Sequence, residues 1–345
     1  MVDMTLTWSI VQPAMTVRAP APTGTKGTMT STRTTASRRR ILLGAGAVVL
    51  LAATAACTSV DDGGGTGGET ADGSALEALQ DRGSITVGFA GEAPYSYEDG
   101  GELTGATVAL HREIFAELGI DTVEGTNTEF GSLIPGLTAN RFDAVSAGMS
   151  ILPDRCSQAA FSEPEFMYTT AFMTPEGNPA GLTDMQSAAD AGITLATMTG
   201  AIESDYAQQL GIDGLEVGTP QDGLDAVVAG RADAFALTGI SLNHLADNTD
   251  APVEVTESFV AEIDGVPQIG AGGTVFRTSD TELLEAYNEK LAEIVADEDR
   301  YLEIVGEFGF TAAERPVEGL TTEKLCEGDL DTLAAELAPE LGSDS

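Results

Sequence analysis

Histidine occurs twice in the 345 residues and cysteine three times. Cys156 and Cys326 lie far apart with no histidine beside either. The ligand spacing of a zinc site is therefore missing, and no metal or cofactor is expected. His111 falls on a helical stretch with no Ser or Cys nucleophile motif to serve; a solvent-facing or capping position is expected for it rather than a catalytic one. Positive charge is scarce too. Only 16 Lys and Arg stand against 55 Asp and Glu, a formal net charge of −39, and so acidic a surface repels polyanions, which removes nucleic acid from the candidate partners. A long apolar run is also lacking, because Ile41 to Ala56 is too short for a comfortable membrane span. No internal repeat is detectable.

What is present begins at that short run. Arg38, Arg39 and Arg40 precede it, and Thr54, Ala55, Ala56 and Cys57 close it. Basic residues, an apolar stretch and small residues before a cysteine describe residues 1–56 as an export signal of the lipoprotein type. Cys57 is then the expected lipidated first residue, Met29 is an alternative start, and the mature chain is expected outside the cytoplasm, anchored to the outer face of the cytoplasmic membrane. With the six basic residues and one acid of that segment set aside, 10 basic and 54 acidic residues remain, a formal net charge of −44. Such self-repulsion is best tolerated where salt screens it. Residues 57–73, rich in Gly and Asp, read as a flexible tether.

The remaining length suffices for two compact domains, and 42% hydrophobic with 6% aromatic residues is ordinary globular composition. Ser74 to Gly83 reads as a short helix closed by glycine, Ile85 to Ala90 as a buried strand delivering Glu92, Pro94 and Tyr95 to its carboxyl end, and Glu98 to Gly105 as a hairpin. Ala106 to Leu118 follows as a helix with Val108, Ile114, Phe115 and Leu118 inward, then Asp121 to Glu129 as a strand. Thr174 to Ala180, with its Gly-Asn-Pro, reads as a linker. Beyond it, strands at 193–197, 215–217 and 232–237 alternate with helices at 200–210 and 221–228, the parallel α/β manner. Gly270 to Arg277 crosses back, and Asp280 to Ala296 is a long amphipathic helix, so the first domain is discontinuous.

The chemistry gathers in Phe130 to Pro164. Gly148 and Ser150 put flexible backbone and a small hydroxyl at a strand end, where α/β sheets present ligands. Arg155 follows, and its paired donors suit a carboxylate; the alternative is a surface pair with Asp154 or Glu163. Thr199 and Gly200 fall where a strand opens a helix, so their N–H groups suit an anionic or polar ligand, or Thr199 is an ordinary cap. Cys156 and Cys326 form an even pair in an oxidising compartment; they are bridged, or are two separately buried thiols.

The run IPGLTANRFDAVSAGMSILPDRCSQAAFSEP resembles the signature of the extracellular solute-binding proteins, family 3, of polar amino-acid ABC importers. That resemblance implies a type II periplasmic-binding fold: an α/β protein of two lobes, residues 74–173 with 274–345 and residues 174–273, joined by two hinge crossovers. It also implies that Gly148, Ser150 and Arg155 grip a ligand carboxylate, and that the partners are a small ligand and an ABC permease, with the protein itself a monomer and not an enzyme. Within the family, Glu92-Ala93-Pro94-Tyr95, Pro153-Asp154-Arg155-Cys156, Gly177-Asn178-Pro179 and Glu323-Lys324-Leu325-Cys326 resemble the ectoine/5-hydroxyectoine-binding subgroup. Thr238 occupies the place where amino-acid binders carry an Asp for the ligand ammonium. The roles implied are Glu92 paired with a cyclic amidinium, Tyr95 and Phe130 as ring faces, Arg155 on the carboxylate, and backbone at Gly148, Ser150, Thr199 and Gly200 completing the cleft. Ser150 stands where the subgroup has a third aromatic, which keeps a polar amino acid open as the ligand. A cyclic-acid dehydratase on the same fold is the further alternative, with Glu92 as its acid or base.

Overall fold

The computed structural model describes residues 74–341, with side chains to residue 338. The expected signal, Cys57 and the tether lie outside the described residues. The chain starts with helix α1 (Ala75–Arg82), capped by a Ser74–Glu77 capping box and closed by Gly83 in the left-handed conformation. Strand β1 (Ser84–Phe89), the hairpin β2 (Tyr97–Asp99) and β3 (Glu102–Thr104), helix α2 (Ala106–Glu117) and β4 (Thr122–Asn127) follow. Next come α3 (Leu133–Thr138), β5 (Ala144–Ser150), the single turn α4 (Pro153–Cys156), β6 (Ala160–Phe161) and β7 (Phe166–Tyr168). A second series then runs β8 (Thr170–Pro175), α5 (Met185–Ala191), β9 (Thr194–Met198), α6 (Ile202–Leu210), β10 (Asp213–Val217), α7 (Pro220–Val228), β11 (Ala234–Thr238), α8 (Gly239–Asp247) and β12 (Val253–Val255). The small hairpin β13 (Glu262–Ile263) and β14 (Val266–Pro267) leads to β15 (Gly270–Phe276), and helices α9 (Thr281–Ala296), α10 (Glu298–Val305), α11 (Thr322–Glu327) and α12 (Leu330–Leu341) end the described chain.

Two sheets organise these elements. The first has the order β4-β1-β5-β15-β6, with β7 also on β15; the second has the order β10-β9-β11-β8-β12. In each, the central strands are parallel and the strand arriving from the other lobe, β15 or β8, pairs antiparallel. Every residue of β5 is buried, as expected of a strand covered on both faces and built from small and apolar residues. This is the two-lobe type II fold implied by the sequence.

Sheet membership corrects the lobe boundaries. The expected change of lobe at residues 173 and 174 falls between β7 and β8, after Tyr168, and the return falls before Gly270 rather than after Gly273. The Gly-Asn-Pro expected to be the linker is instead a turn inside the second lobe, where Asn178 adopts φ 38° and its amide holds Leu182.

His111 is corrected as well. It is fully buried rather than solvent-facing, its Nε2 is 2.5 Å from Thr274 Oγ1, and its ring packs on Phe115 and Tyr287. Thr274 Oγ1 in turn reaches Glu165 Oε1 at 2.5 Å, and the Tyr287 hydroxyl donates to the same oxygen at 2.7 Å. Burial pushes His111 down to about 3 and Glu165 up to about 7. Neutral His111 therefore contributes stability that is complete above its unfolded value of about 6.5 and is lost as pH falls toward 3. Protonated Glu165 contributes stability that is complete below about 4.5 and is lost as pH rises through 7. A tenfold difference in proton affinity between the folded and unfolded chain corresponds to about 1.4 kcal/mol, so His111→Gln should flatten the acid limb of a denaturation-midpoint profile between roughly pH 6 and 4. An acid limb as steep in the variant as in the parent would show that the buried imidazole is not its source.

Candidate ligand-binding site

The two lobes meet over a small cavity of about 20 Å³, room for about one water. From the first lobe come Glu92 and Tyr95 in the loop after β1, Phe130 before α3, and Ala147, Gly148 and Ser150 at the end of β5, together with Tyr168. Ala201, Ile202, Leu237 and Thr238 come from the ends of β9 and β11 in the second lobe. The strand ends thus converge on the cleft, as open α/β sheets direct their ligands.

Glu92 is 5% exposed and accepts from Ser241 Oγ of α8 at 2.8 Å, a bond from one lobe to the other. Burial pushes its carboxyl up to about 8, against the opposing effect of the Ser241 bond. A second acid, Glu203, lies fully buried in the first turn of α6 and reaches Thr170 Oγ1 at 3.5 Å. Burial raises it to about 7, and its charge acts on Glu92. A buried carboxyl that lines the cavity, as Glu92 does, would gain from a cation placed against it.

Tyr95 and Thr238 point the same way. The Tyr95 hydroxyl and Thr238 Oγ1 are buried, line the cavity and are incompletely satisfied: neither makes a hydrogen bond of good geometry among the described residues, although Thr238 is near enough to Tyr95 and Glu92 to oppose the effect of burial on both. A buried polar atom without a partner costs about 1–3 kcal/mol, a deficit that a ligand group in the cavity would relieve. The Tyr95 ring itself is held edge-on by Phe166, Tyr168 and Phe310, so its hydroxyl end rather than its face meets the cavity. Gly148 serves that ring. At φ 52°, a Cβ there would stand 2.4 Å from Tyr95 Cδ1, so only glycine fits.

Arg155 stands beside this cavity rather than in its lining. From α4 its Nη1 donates to Ser150 O at 2.9 Å and its Nη2 donates across the lobes to Gly200 O at 2.7 Å, with its guanidinium 5.5 Å over the Phe130 ring. The expectation of a surface pair with Asp154 or Glu163 is not met, since its bonds are to backbone carbonyls. One face of Phe130 is accordingly covered by Arg155. Beyond the guanidinium lies a larger hollow of about 360 Å³, lined in part by Asp205, Tyr206, Gln209 and Gln268.

α4 is braced from the C-terminal segment. The Sγ atoms of Cys156 and Cys326 stand 1.98 Å apart. Next to them, Gly328, at φ 76°, packs so close that a Cβ would meet Pro153 Cγ at 2.7 Å.

Thr199 and Gly200 are not brought to the cavity. Both are exposed at its rim. Thr199 donates its N–H and hydroxyl to Val217 O, and the cap position of α6 is instead Ala201. The contribution of Gly200 is its carbonyl, which accepts from Arg155, and its close approach to Gly131 of the other lobe, where a Cβ on Gly200 would stand 3.2 Å from Gly131 Cα. Ser150 is in the cavity, with its hydroxyl accepting from Tyr168. Glu203, Tyr168 and Ser241 were missed from sequence. The one available signal was Glu203 itself, an acid on the inward side of α6 beside Ile202, Tyr206 and Ala207.

Comparison with known proteins agrees with this arrangement. The family described as bacterial extracellular solute-binding proteins, family 3, matches residues 85–308. A probable amino-acid ABC transporter periplasmic-binding protein, y4tE of Sinorhizobium fredii (strain NBRC 101917 / NGR234), is 33% identical over 265 residues, 75% of this chain and 88% of that one. Among solved structures, EhuB in complex with hydroxyectoine aligns at TM-score 0.65 and 31% identity, over 73% of this chain and 97% of its own. An ancestral arginine-binding protein bound to glutamine aligns at TM-score 0.58 and 25% identity, over 66% and 98%. With its two lobes, its interlobe site and a family match across most of the described residues, the chain belongs to the bacterial extracellular solute-binding proteins of family 3, the extracytoplasmic substrate-binding components of amino-acid-type ABC importers.

Proposed function

We propose that the protein captures ectoine or 5-hydroxyectoine between its lobes and delivers it to an ABC permease without altering it. The observation that carries this reading is the polarity of the cleft. Buried Glu92 and the incompletely satisfied hydroxyls of Tyr95 and Thr238 line the cavity, and the Arg155 guanidinium stands next to it over Phe130. A small zwitterion with a delocalised cation satisfies both ends at once, with the carboxylate on Arg155 and the amidinium on Glu92. The likeness to EhuB supports the same ligand class. The cavity of about 20 Å³ is smaller than such a solute, so entry requires the lobes to part about the two crossovers.

A polar amino acid is the second reading, favoured by Ser150 in the cavity and by the likeness to an arginine-binding protein bound to glutamine. Titration calorimetry with ectoine, hydroxyectoine, arginine and glutamine separates the two. Ectoine binding at about micromolar, roughly −8 kcal/mol, is expected, with the ligand recovered intact. Glutamine or arginine bound in its place would transfer the assignment to amino acids, and ligand consumed during titration would make Glu92 an acid–base candidate and the protein an enzyme.

The same reading makes the protein a monomer on the outer face of the cytoplasmic membrane, with residues 1–56 removed, Cys57 lipidated, residues 57–73 as a tether and Cys156 bonded to Cys326. Closing a loop with a sequence separation of 170 is worth about 5 kcal/mol by the chain-entropy estimate. Mass spectrometry of protein from its native host should find a lipid-modified N-terminal peptide at Cys57 and one peptide pair linking Cys156 with Cys326. Chains that still begin upstream of Cys57 would remove the anchor, and alkylatable thiols at 156 and 326 would remove the bridge.

A further inference from the structure

Tyr168 sits where three features of the molecule coincide. It is the last residue of β7 and stands two positions before β8, so the first crossover begins at its carbonyl. In the β7–β15 ladder it is paired with Gly270, the residue at which the second crossover ends. It also lines the cavity between the lobes. The residue at which both connections converge is thus also a wall of the site.

Its ring has a prepared seat. A Cβ on Gly270 would come within 2.7 Å of Tyr168 Cδ2, and one on Gly272 within 3.1 Å of Cε1, so two glycines on one face of β15 leave the space that the ring occupies. The hydroxyl donates to Ser150 Oγ and lies 3.3 Å from Ala271 O, while Tyr95 meets the ring edge-on with centroids 6.3 Å apart. Seat, tether and edge contact leave the ring one orientation.

The charges around that ring are those of the site. Arg155, Glu203 and Glu92 all act on the phenol, and burial keeps it protonated. A neutral, immobilised ring beside two buried acids offers a cation the electron-rich face that complements them. We infer that Tyr168 is a specificity-determining residue: held on Gly270 and Gly272 and fixed by Ser150, it presents its ring to the cationic part of the ligand at the point where both crossovers meet. This inference rests on the reading of the cleft as a zwitterion site.

The test is a series at position 168 in the full chain, titrated with ectoine, hydroxyectoine, arginine and glutamine. Tyr168→Phe keeps the ring and should stay within about threefold of the parent for the ligand it prefers. Successively fluorinated phenylalanines at 168 keep the shape while draining the ring face of negative potential; affinity for that ligand should fall stepwise, by about tenfold in all. Ser150→Ala, which frees the phenol, should give a smaller loss of the same kind. A packing residue would show none of this dependence on fluorine. Flat affinity across the series, in protein whose melting temperature matches the phenylalanine variant, overturns the inference and leaves the ligand assignment standing. A parent protein that binds none of the four ligands overturns the assignment and the inference with it.

Discussion

Arg155→Ala is expected to cost about 2–5 kcal/mol of ligand affinity, the loss usual when one partner of a buried, hydrogen-bonded charge pair is removed. Two effects of the same side chain combine. Its guanidinium is the sole cation found at the cleft among the described residues, so a ligand carboxylate would be left enclosed without a counter-charge. It also ties the lobes, through Ser150 O at 2.9 Å and Gly200 O at 2.7 Å, and that tie is lost with it. Arg155→Lys keeps the charge but not the planar fork that spans two carbonyls, and should recover only part of the loss. Titration calorimetry on both variants reads the result. An alanine variant within threefold of the parent would remove Arg155 from the carboxylate's place.

Glu92→Gln should have an effect of similar size, about 2–5 kcal/mol for a cationic ligand, and it should change the pH dependence. Glu92 sits at about 8 because it is buried, and Glu203 at about 7. A cation bound against them lowers both values. The bound form then holds fewer protons than the free form, so affinity rises with pH through the range in which the ligand-free carboxyls titrate and levels off above it. Binding should accordingly release protons, visible as a heat that changes with the ionisation enthalpy of the buffer. Glutamine at 92 should remove most of that slope. Affinity independent of pH in the parent from about 4 to 9, a range that covers the carboxyl both exposed and buried, would exclude Glu92 as the partner of the cation.

The fold was legible wherever local chemistry punctuates the chain. Ser74, Glu77 and Gly83 mark both ends of α1, and the apolar face of α9 is read from Leu283, Tyr287, Leu291 and Ile294, all buried. The lobe boundary was not legible, because Phe166 to Met173 is one β-rich stretch that passes from the first sheet to the second at Thr169 without a glycine or proline to announce it. The Gly-Asn-Pro that did announce a break belongs to an ordinary turn. At the site, the strand-end rule reached Glu92, Tyr95, Gly148 and Ser150, which do line the cavity. It failed at Thr199, whose donors go to Val217, because which strand-end N–H remains free depends on the neighbouring strand. Glu203 escaped notice because an acid in the first turn of a helix is ordinarily explained by the helix dipole. Its burial comes with a contact to Thr170 of β8, which periodicity along α6 cannot show.

The close approach of Gly200 to Gly131 would act as a stop for the proposed closure. A Cβ added at Gly200 would stand 3.2 Å from Gly131 Cα, so the backbones of the two lobes pass with room for little beyond hydrogen, and closing would bring the protein against itself here as well as against its guest. A guest too bulky for the cleft would hold the stop apart, and one too small would reach it with a void inside, forgoing the contacts that a better-fitting guest makes. A single methyl at position 200, on a backbone at φ 80°, would work as a wedge against that closure.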